Sequence, residues 1–408
     1  MKRFLRLLKK IFLYGFVGLL VIIIVALLIF LIEHNTSLTL PNPSGTYAVG
    51  RTTFDWVDSS RVDSLAPTLG GKRELAVWVW YPADKKEPVK INDYLPPYLK
   101  KSIEQNDGFI MTDFFTKDLS KIYSHSIANA GISAKQTKYP IVFLKSGLGA
   151  LATDYTTLAE DLASHGYVVV GCDAPYSTFL VAFPDGRVIK RTEKGNPGGE
   201  NSTESPYQTQ LMNNLVNVWS DDTKFILNKL ELLNANDSSN LFFGHLDTQS
   251  VGIFGHSFGG ATAAQFCSTE PRCKAGIDID GAPYGSVIQT GLNKPFMFLI
   301  SDHSDEDKTE DDKITSHIEN IYNSLPKGSV WINLVGAKHF NFSDMALAKE
   351  RLLFRLAGAT GSIDKRQGLK ITADCVRIFF DVHLKGNAIT GIDSLQSKYS
   401  EVKFYKKK

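Results

Sequence analysis

The stretch of sequence that decides the fold is residues 251–260, VGIFGHSFGG, which places a serine at the centre of a G-x-S-x-G motif. The apolar residues at its start are typical of a buried strand, and the small residues after it are typical of a helix packed closely on a sheet. Gly255 and Gly259 leave room for backbone contacts that a side chain would block at such a sharp turn. The motif therefore predicts that Ser257 is a nucleophile.

The residues around the serine also indicate where hydrogen-bond donors for an oxyanion lie. The helix expected to begin at Phe258 points its free N–H groups and the positive end of its dipole toward the serine. A second donor is expected from the G-L-G turn at 147–149, which lies between an apolar strand at 141–144 and a helix at 153–164. This turn has neither the G-x-G-x-x-G spacing nor a P-loop lysine, so we do not expect it to bind a nucleotide.

A serine nucleophile needs a general base, which lies late in the chain in folds with this motif. His339 comes just after a strand predicted at 330–335, where a mobile imidazole can reach the serine, and it is the preferred base among nine histidines. His256 is expected to pack and form hydrogen bonds instead. His165 is expected to cap a helix, and His303 to be solvated in an acidic loop.

The acid that orients the base has two candidates, each at the end of a predicted strand. Asp280 follows the strand at 274–279 and precedes a tight turn, which favours a buried and fixed carboxylate. Asp302 follows the strand at 295–300 and precedes the charged run HSDEDKTEDD, which is typical of a solvated loop. Asp280 is the favoured acid, and Asp302 remains the alternative.

Strands that alternate with helices predict an α/β protein with a mostly parallel central sheet and helices on both faces. Together with the serine motif, this pattern predicts an α/β-hydrolase fold. The domain is expected at 49–390, and its aromatic-rich insertion at about 92–135 is either a lid or a segment packed on the sheet edge. Other expected elements are a strand at 74–80, a long helix at 208–233, a final helix at 375–384 and a basic tail at 391–408.

The N-terminal part of the chain predicts a membrane anchor that precedes this domain. A basic segment at 1–10 leads into 22 uninterrupted apolar residues at 11–32, and such a helix, rising about 1.5 Å per residue, can cross a hydrocarbon core of about 30 Å. The positive-inside rule predicts a single pass with a cytoplasmic N-terminus and an extracytoplasmic catalytic domain. A cleaved signal peptide is the alternative, disfavoured by the length of the run and the absence of a small-residue cleavage site. Residues 33–48 are expected to be a linker.

Composition and cysteine usage set further limits. The 408 residues carry a net charge of +2 and are 43% hydrophobic, which describes a globular protein with no charge excess that would favour nucleic acid. No group of residues has metal-ligand spacing, and neither a metal nor a cofactor is expected. Cys267 and Cys273 flank a short turn and are expected to form a disulfide in an oxidising compartment. Cys172 and Cys375 are expected to be buried thiols.

Several segments carry a resemblance to a known family. They are GTYAVGRTTFDWVDSSR at 45–61, RELAVWVWYPA at 73–83, SGLGALATDYTTLAEDLASHGYVVVGCDAP at 146–175, GHSFGGATAAQFC at 255–267, CKAGIDIDG at 273–281 and HFNFSD at 339–344. On these residues the chain resembles the platelet-activating-factor acetylhydrolase family, of the secreted lipoprotein-associated type, and its bacterial relatives. The resemblance extends over nearly the whole chain after the N-terminal segment.

The resemblance implies catalytic roles, residue by residue. It implies that Ser257 is the nucleophile, that Asp280 and not Asp302 is the acid, and that His339 is the base. The matching segments are GHSFGG, GIDIDG and HFNFSD.

The resemblance also implies an oxyanion hole formed by the backbone amides of Leu148 and Phe258. The family usually has a histidine before the G-L-G turn, and this chain has Ser146. This departure leaves the backbone donor in place but changes the polar surroundings of the turn.

The predicted function is therefore a membrane-anchored serine esterase that works through an acyl-enzyme. The resemblance implies phospholipids with a short or oxidised sn-2 acyl chain as substrates, and no calcium, although many proteins with this fold act on soluble esters. One alternative is a hydrolase of another bond, such as a dienelactone-type lactonase or a peptidase. The other is an inactive membrane-anchored binding protein on the same fold. The sequence makes no prediction of the oligomeric state.

Overall fold

The structure is a computed structural model, and it describes residues 2–68, 70–84, 92–107, 117–197, 206–236, 239, 241–302, 308–348 and 358–405. The helices are α1 (Lys2–Asn35), α2 (Pro97–Asp107), α3 (Thr156–Ser164), α4 (Pro206–Ala235), α5 (Phe258–Thr269), α6 (Val287–Thr290), α7 (Lys308–Ser324), α8 (Met345–Ala348), α9 (Lys365–Lys385) and α10 (Thr390–Lys398). Short 3-10 helices cover Leu119–Lys121, Ala152–Tyr155 and His339–Phe342.

The strands are β1 (Leu38–Thr39), β2 (Ala48–Val62), β3 (Lys72–Ala83), β4 (Asn92–Asp93), β5 (Ile122–Ser124), β6 (Ser126–Ala128), β7 (Tyr139–Lys145), β8 (Val168–Asp173), β9 (Leu180–Ala182), β10 (Val188–Lys190), β11 (Leu246–His256), β12 (Cys273–Ile279), β13 (Phe296–Ile300), β14 (Val330–Leu334) and β15 (Val402–Phe404).

Ten of the described strands form one central sheet in the order β15-β14-β13-β12-β11-β7-β8-β3-β2-β6. The neighbouring strands from β14 to β8 run parallel. The strands β15, β3 and β2 add antiparallel pairings toward the two ends. Because parallel strands end at the same edge of a sheet, the residues that follow β7, β11, β12 and β14 meet there.

Helices cover both faces of the sheet. On one face, Leu158 and Leu162 of α3 and Phe379 of α9 are buried in the main core. On the other face, Leu230 of α4 and Phe266 of α5 belong to a second buried cluster. The predicted α/β fold, with a mostly parallel sheet between two layers of helices, is confirmed.

The C-terminal part differs from the prediction. The helix expected at 375–384 begins earlier, because the side chain of Asp364 caps α9 by accepting hydrogen bonds from the amides of Arg366 and Gln367. It is not the final element, since α10 and β15 follow it.

The segment expected to be a basic tail at 391–408 forms a helix and a strand as far as residue 404. Ile392, Leu395 and Val402 are buried in the main core, and β15 pairs antiparallel with β14. The terminal residues 406–408 lie outside the described residues. The apolar positions of this segment therefore outweigh its many lysines.

The N-terminal helix is long and apolar enough to cross a membrane. Its span Arg3–Asn35 has a mean hydropathy of 3.4 in its most apolar window, and none of that window is buried against the protein. The apolar run predicted at 11–32 lies inside this helix.

The segment expected to be a linker at 33–48 contacts the domain. Leu38 and Thr39 form β1 beside β5, and the ammonium of Lys117 donates to the carbonyl oxygens of Glu33 at 2.9 Å and Thr36 at 3.2 Å. The end of α1 is therefore held by the insertion and not by a free linker.

The described part of the aromatic-rich insertion packs on the domain. Tyr94 is buried, and its hydroxyl donates to the carbonyl oxygen of Thr153 at 2.7 Å. Phe109, Phe114 and Phe115, at 108–116, lie outside the described residues, so its role as a lid stays a prediction.

The four cysteines are all buried and carry free thiols in the structure. The sulfur atoms of Cys267 and Cys273 lie 2.6 Å apart, at the end of α5 and the start of β12. The structure therefore brings the expected pair together without a covalent bond, and the disulfide stays a prediction. Cys172 and Cys375 are buried as expected.

Candidate active site

Ser257 occupies the sharp turn between the end of β11 and the start of α5. Its φ of 58° and ψ of −127° are unusual for a residue that has a side chain. A Cβ atom on Gly255 would lie 2.0 Å from the carbonyl oxygen of Gly259, and one on Gly259 would lie 2.2 Å from that of Lys145. The turn therefore requires glycine on both sides of the serine, which explains the motif.

His339 and Asp280 meet at the same edge of the sheet. Asp280 follows β12, and His339 opens the 3-10 helix that follows β14. Nδ1 of His339 lies 2.7 Å from Oδ2 of Asp280, whose other oxygen accepts a hydrogen bond from the amide of Ser301 at 2.8 Å. The carboxylate accepts both bonds, so Nδ1 carries the proton and Nε2 keeps a lone pair. The carboxylate is 1% exposed and the imidazole is 41% exposed, which fits a fixed acid and an accessible base.

Asp302, the alternative acid, contacts the backbone before the histidine. Its Oδ2 accepts a hydrogen bond from the amide of Gly336 at 3.1 Å, and its own amide donates to the carbonyl oxygen of Ala337 at 2.8 Å. Both contacts fix the turn after β14. The acid in hydrogen-bond contact with the imidazole of His339 is Asp280.

His256 connects the histidine loop to the serine turn. Its Nε2 donates to the carbonyl oxygen of His339 at 2.8 Å, and the two ring centroids are 4.4 Å apart. Because a carbonyl oxygen only accepts, Nδ1 of His256 is unprotonated and accepts from the hydroxyl of Tyr155 at 2.7 Å. Burial, together with the neighbouring His339, lowers the pKa of His256 to about 3. His256 is therefore a neutral, hydrogen-bonded residue, as predicted. Because His256 directly precedes Ser257, its hydrogen bond holds the backbone of His339 close to the serine turn.

Two further side chains fix the 3-10 helix of His339, and sequence reasoning missed both. Oδ1 of Asn341 accepts from the amide of Gly361 at 2.7 Å. Oδ2 of Asp344 accepts from the amide of Thr157 at 3.0 Å, and burial raises the pKa of Asp344 to about 8. Both residues lie in the HFNFSD segment, but nothing in the sequence distinguished their roles from that of His339.

The G-L-G turn at 147–149 lies directly against the serine. A Cβ atom on Gly147 would lie 3.1 Å from Cβ and 3.6 Å from Oγ of Ser257. Phe258 is the first residue of α5, so its amide has no acceptor inside that helix. The backbone next to Ser257 thus comes from the two segments expected to supply oxyanion donors at Leu148 and Phe258.

An apolar wall lies on the same side of the site. The ring of Phe258 meets Trp219 of α4 edge to face, with centroids 5.0 Å apart, and lies 5.9 Å from the ring of Tyr284. Leu148 and Met212 belong to the same cluster. Trp219 and Phe258 are buried, whereas Leu148 and Tyr284 are half-buried, so the cluster is a packed apolar core whose partly exposed members face the region of the serine turn.

Buried ion pairs hold this wall in place. Nη2 of Arg73 in β3 lies 2.8 Å from Oδ2 of Asp222 in α4, and its Nη1 lies 3.1 Å from Oδ2 of Asp63. All three side chains are buried. Because Asp222 is one helical turn after Trp219, this contact fixes the rotation of α4 and the position of the indole.

The two histidines and Asp280 also bring ligand atoms within 4.8 Å of one another, as a metal site would. Their geometry suits proton transfer better. The lone pair of His256 accepts from Tyr155, and its N–H donates to the carbonyl oxygen of His339. An ion could bind His256 only if one of these two hydrogen bonds were broken. The arrangement can instead take a proton at Nε2 of His339 and stabilise the resulting cation with Asp280.

Comparison with known proteins identifies relatives over most of the chain. The sequence profile of the family described as "Platelet-activating factor acetylhydrolase, isoform II" matches residues 32–174 and 213–400. A probable 1-alkyl-2-acetylglycerophosphocholine esterase of Arthroderma benhamiae is 27% identical over 403 residues, covering 90% of this chain and 94% of that protein.

Two further similarities have different coverage. A platelet-activating factor acetylhydrolase of Cavia porcellus is 27% identical over 263 residues, which cover 60% of this chain and 58% of that protein. The solved structure of a ferulic acid esterase from Streptomyces cinnamoneus superposes with a TM-score of 0.73 at 26% identity, covering 91% of this chain and all of that one.

Proposed function

The chain belongs to the platelet-activating factor acetylhydrolase, isoform II, family and is a carboxylic ester hydrolase, and from this premise we propose that it cleaves esters through an acyl-enzyme on Ser257. The observation that carries the proposal is the hydrogen bond from His339 to Asp280 beside a strained serine turn. Together these features supply a base with a free nitrogen, a buried counter-charge and a hydroxyl at the tip of a strand.

In the first step, Nε2 of His339 takes the proton from Oγ of Ser257 as that oxygen attacks the ester carbonyl carbon. The carbonyl oxygen becomes an oxyanion and accepts hydrogen bonds from the amides of Leu148 and Phe258. Asp280 stabilises the imidazolium. When the tetrahedral intermediate collapses, the bond to the leaving alcohol breaks, and the alcohol takes the proton from Nε2.

In the second step, water releases the acyl group. His339 takes a proton from the water as its oxygen attacks the acyl carbon of the Ser257 ester, and the same amides bind the second oxyanion. Cleavage of the Oγ–acyl bond returns the proton to Ser257. The products are a carboxylic acid and the unchanged enzyme.

The proposed substrates are short-chain or oxidised acyl esters, including the sn-2 acyl group of phospholipids. Family membership supports this class. The half-buried side chains of Leu148 and Tyr284, which pack on the ring of Phe258 next to Ser257, support an apolar acyl group at this place.

We propose that α1 anchors the enzyme in a membrane as a single span, with the N-terminus in the cytoplasm and the catalytic domain outside. The length and apolarity of α1 support the span. The basic residues before the apolar run support the orientation.

The proposal is tested with the full chain in a neutral detergent. A fluorophosphonate probe and the acetyl, butyryl and octanoyl esters of p-nitrophenol would be supplied to the unaltered protein, to Ser257→Ala and to Ser268→Ala, a matched loss of a hydroxyl on α5. We expect labelling and hydrolysis by the unaltered protein and by Ser268→Ala, and neither by Ser257→Ala.

Other results would favour the alternatives. A protein that resists labelling and hydrolyses none of the esters would be the inactive binding protein. A lactonase or a peptidase would prefer a lactone or a peptide over the p-nitrophenyl esters in a substrate panel.

A further inference from the structure

A cationic side chain lies beside the turn that supplies the proposed oxyanion donor Leu148. A Cβ atom on Gly149, the next residue, would lie 4.0 Å from Nη1 of Arg191 and 3.9 Å from Nδ2 of Asn196. Both side chains therefore present N–H groups at the edge of the catalytic site. The reaction at Ser257 uses neither of them.

The segment that carries these groups is tied to the catalytic turn through Tyr176. The amide of Thr192 donates to the carbonyl oxygen of Tyr176 at 2.8 Å, and the amide of Asn196 donates to that of Thr192 at 2.9 Å. A Cβ atom on Gly195 would lie 2.1 Å from the carbonyl oxygen of Tyr176, so the two segments are in close backbone contact. The position of Arg191 is thus built into the fold.

Backbone strain accompanies this contact. Tyr176 has a φ of 67°, a conformation that costs free energy for a bulky side chain. The residue after it, Ser177, accepts a hydrogen bond from the amide of Gly149 at 3.2 Å. One strained segment therefore joins the oxyanion turn on one side to the segment of Arg191 on the other.

Arg191 carries a positive charge on an exposed segment. Within the residues that the structure describes, no carboxylate lies within ion-pair distance of its guanidinium. The side chain is exposed, and none of the described residues forms an ion pair with it, so its fork of N–H donors can bind an anion in two places at once.

We propose that Arg191, assisted by Asn196, binds an anionic group of the substrate next to the scissile ester. The inference rests on the proposed esterase function and narrows it to esters that carry such a group. The anion has two possible sources with the same chemistry, namely a phosphodiester on the leaving alcohol and a carboxylate at the far end of the acyl chain. Arg191 is then a specificity-determining residue.

The test uses two matched pairs of soluble esters and the full chain in a neutral detergent. The first pair consists of two short-chain 2-acetylglycerol ethers. One carries a methyl phosphodiester, and the other carries an uncharged methyl ether in its place. The second pair is p-nitrophenyl hydrogen glutarate and p-nitrophenyl butyrate. For each pair, kcat/KM of the anionic ester is divided by that of the neutral ester.

We expect Arg191→Gln to lower this ratio about tenfold in one of the two pairs, since an arginine–anion contact near the surface is worth roughly one order of magnitude in binding. The loss is expected in KM, to shrink in high salt, and to be partly restored by Arg191→Lys. Lys190→Gln removes an exposed charge from the neighbouring position and should leave both ratios unchanged.

The pair that responds identifies the source of the anion. Equal ratios in Arg191→Gln and in the unaltered protein, for both pairs, would overturn the inference while leaving the esterase intact. Hydrolysis of none of the four esters by the unaltered protein would overturn the proposed function, and this inference with it.

Discussion

Nε2 of His256 donates a hydrogen bond to the carbonyl oxygen of His339 at 2.8 Å, so the residue before the proposed nucleophile holds the residue proposed as the base. The other nitrogen of His256 accepts from the hydroxyl of Tyr155, which ends the short 3-10 helix after the oxyanion turn. These contacts join the oxyanion turn, the serine turn and the histidine loop. Placement of the base relative to the serine therefore depends on a buried residue that takes no proton from substrate.

We predict that His256→Phe lowers kcat by about a hundredfold with little change in KM, because a displacement of the base by about 1 Å costs this much. His256→Gln keeps an N–H donor for the carbonyl oxygen of His339 and should recover part of the loss. Both are measured by p-nitrophenyl acetate hydrolysis. A higher KM with an unchanged kcat would exclude the positioning role.

We predict that Asp280→Asn lowers kcat about 10³-fold or more, since the hydrogen bond to Nδ1 of His339 sets the tautomer of the base. Asp302→Asn is the matched control, because an asparagine oxygen still accepts from the amide of Gly336. Its effect on kcat should be less than about tenfold. The opposite ranking of the two variants would assign the acid to Asp302.

Stability should fall as the pH rises, in part through Asp344. Burial raises the pKa of this carboxyl from 3.8 to about 8. Between these values the folded protein keeps a proton that the unfolded chain has lost, so rising pH favours unfolding, and the stabilising contribution is complete only below the lower value.

Asp344→Asn removes this titration while its oxygen still accepts from the amide of Thr157. The variant should show a shallower decline of Tm between about pH 4 and pH 8. The free energies of unfolding of the two proteins should diverge by no more than about 1.4 kcal/mol per pH unit. Thermal unfolding over this pH range measures it. Parallel curves for the two proteins would mean that Asp344 is ionised in the folded state.

Gly259→Ala should prevent formation of the serine turn, because the new Cβ would lie 2.2 Å from the carbonyl oxygen of Lys145. We expect a large loss of Tm and no activity. Gly368→Ala is the matched control, a helical glycine whose nearest neighbour would be 3.5 Å away. It should be neutral or stabilise α9 by up to about 1 kcal/mol. Equal Tm values for the two variants would contradict the steric account of the motif.

Cys267 and Cys273 are expected to be linked when the catalytic domain is exposed to an oxidising compartment. Their sulfur atoms already face each other at 2.6 Å in a buried site. Mass spectrometry of the protein digested without reductant should find the two peptides joined. Recovery of both peptides with free thiols, from protein kept oxidised throughout, would eliminate the disulfide.

The parts of the site that sequence could predict are those fixed by local chemistry. Gly255 and Gly259 are required by close backbone contacts within a few residues of Ser257. His339 and Asp280 each follow an apolar strand, and a parallel sheet brings such strand ends together. For the glycines and His339 the pattern along the chain was enough, whereas Asp302 remained an alternative to Asp280 until the contact with the imidazole was seen.

The parts that sequence could not predict depend on contacts between distant segments. Asp344 accepts from Thr157, 187 positions away, and nothing near either residue announces the pairing. The pairing of β15 with β14 likewise joins the last part of the chain to a strand about 70 residues earlier. Composition predicts that a short lysine-rich segment is solvated, and this one forms a strand because it pairs with β14.

The pairing of β15 with β14 also limits which truncations or tags the end of the chain tolerates. Without β15, the backbone of β14 would be an open sheet edge, and open edges recruit strands from other molecules. The loop that begins with His339 leaves from this same strand. Trimming or tagging the protein near residue 402 would thus risk self-association and a misplaced imidazole together, although the change lies far away in sequence.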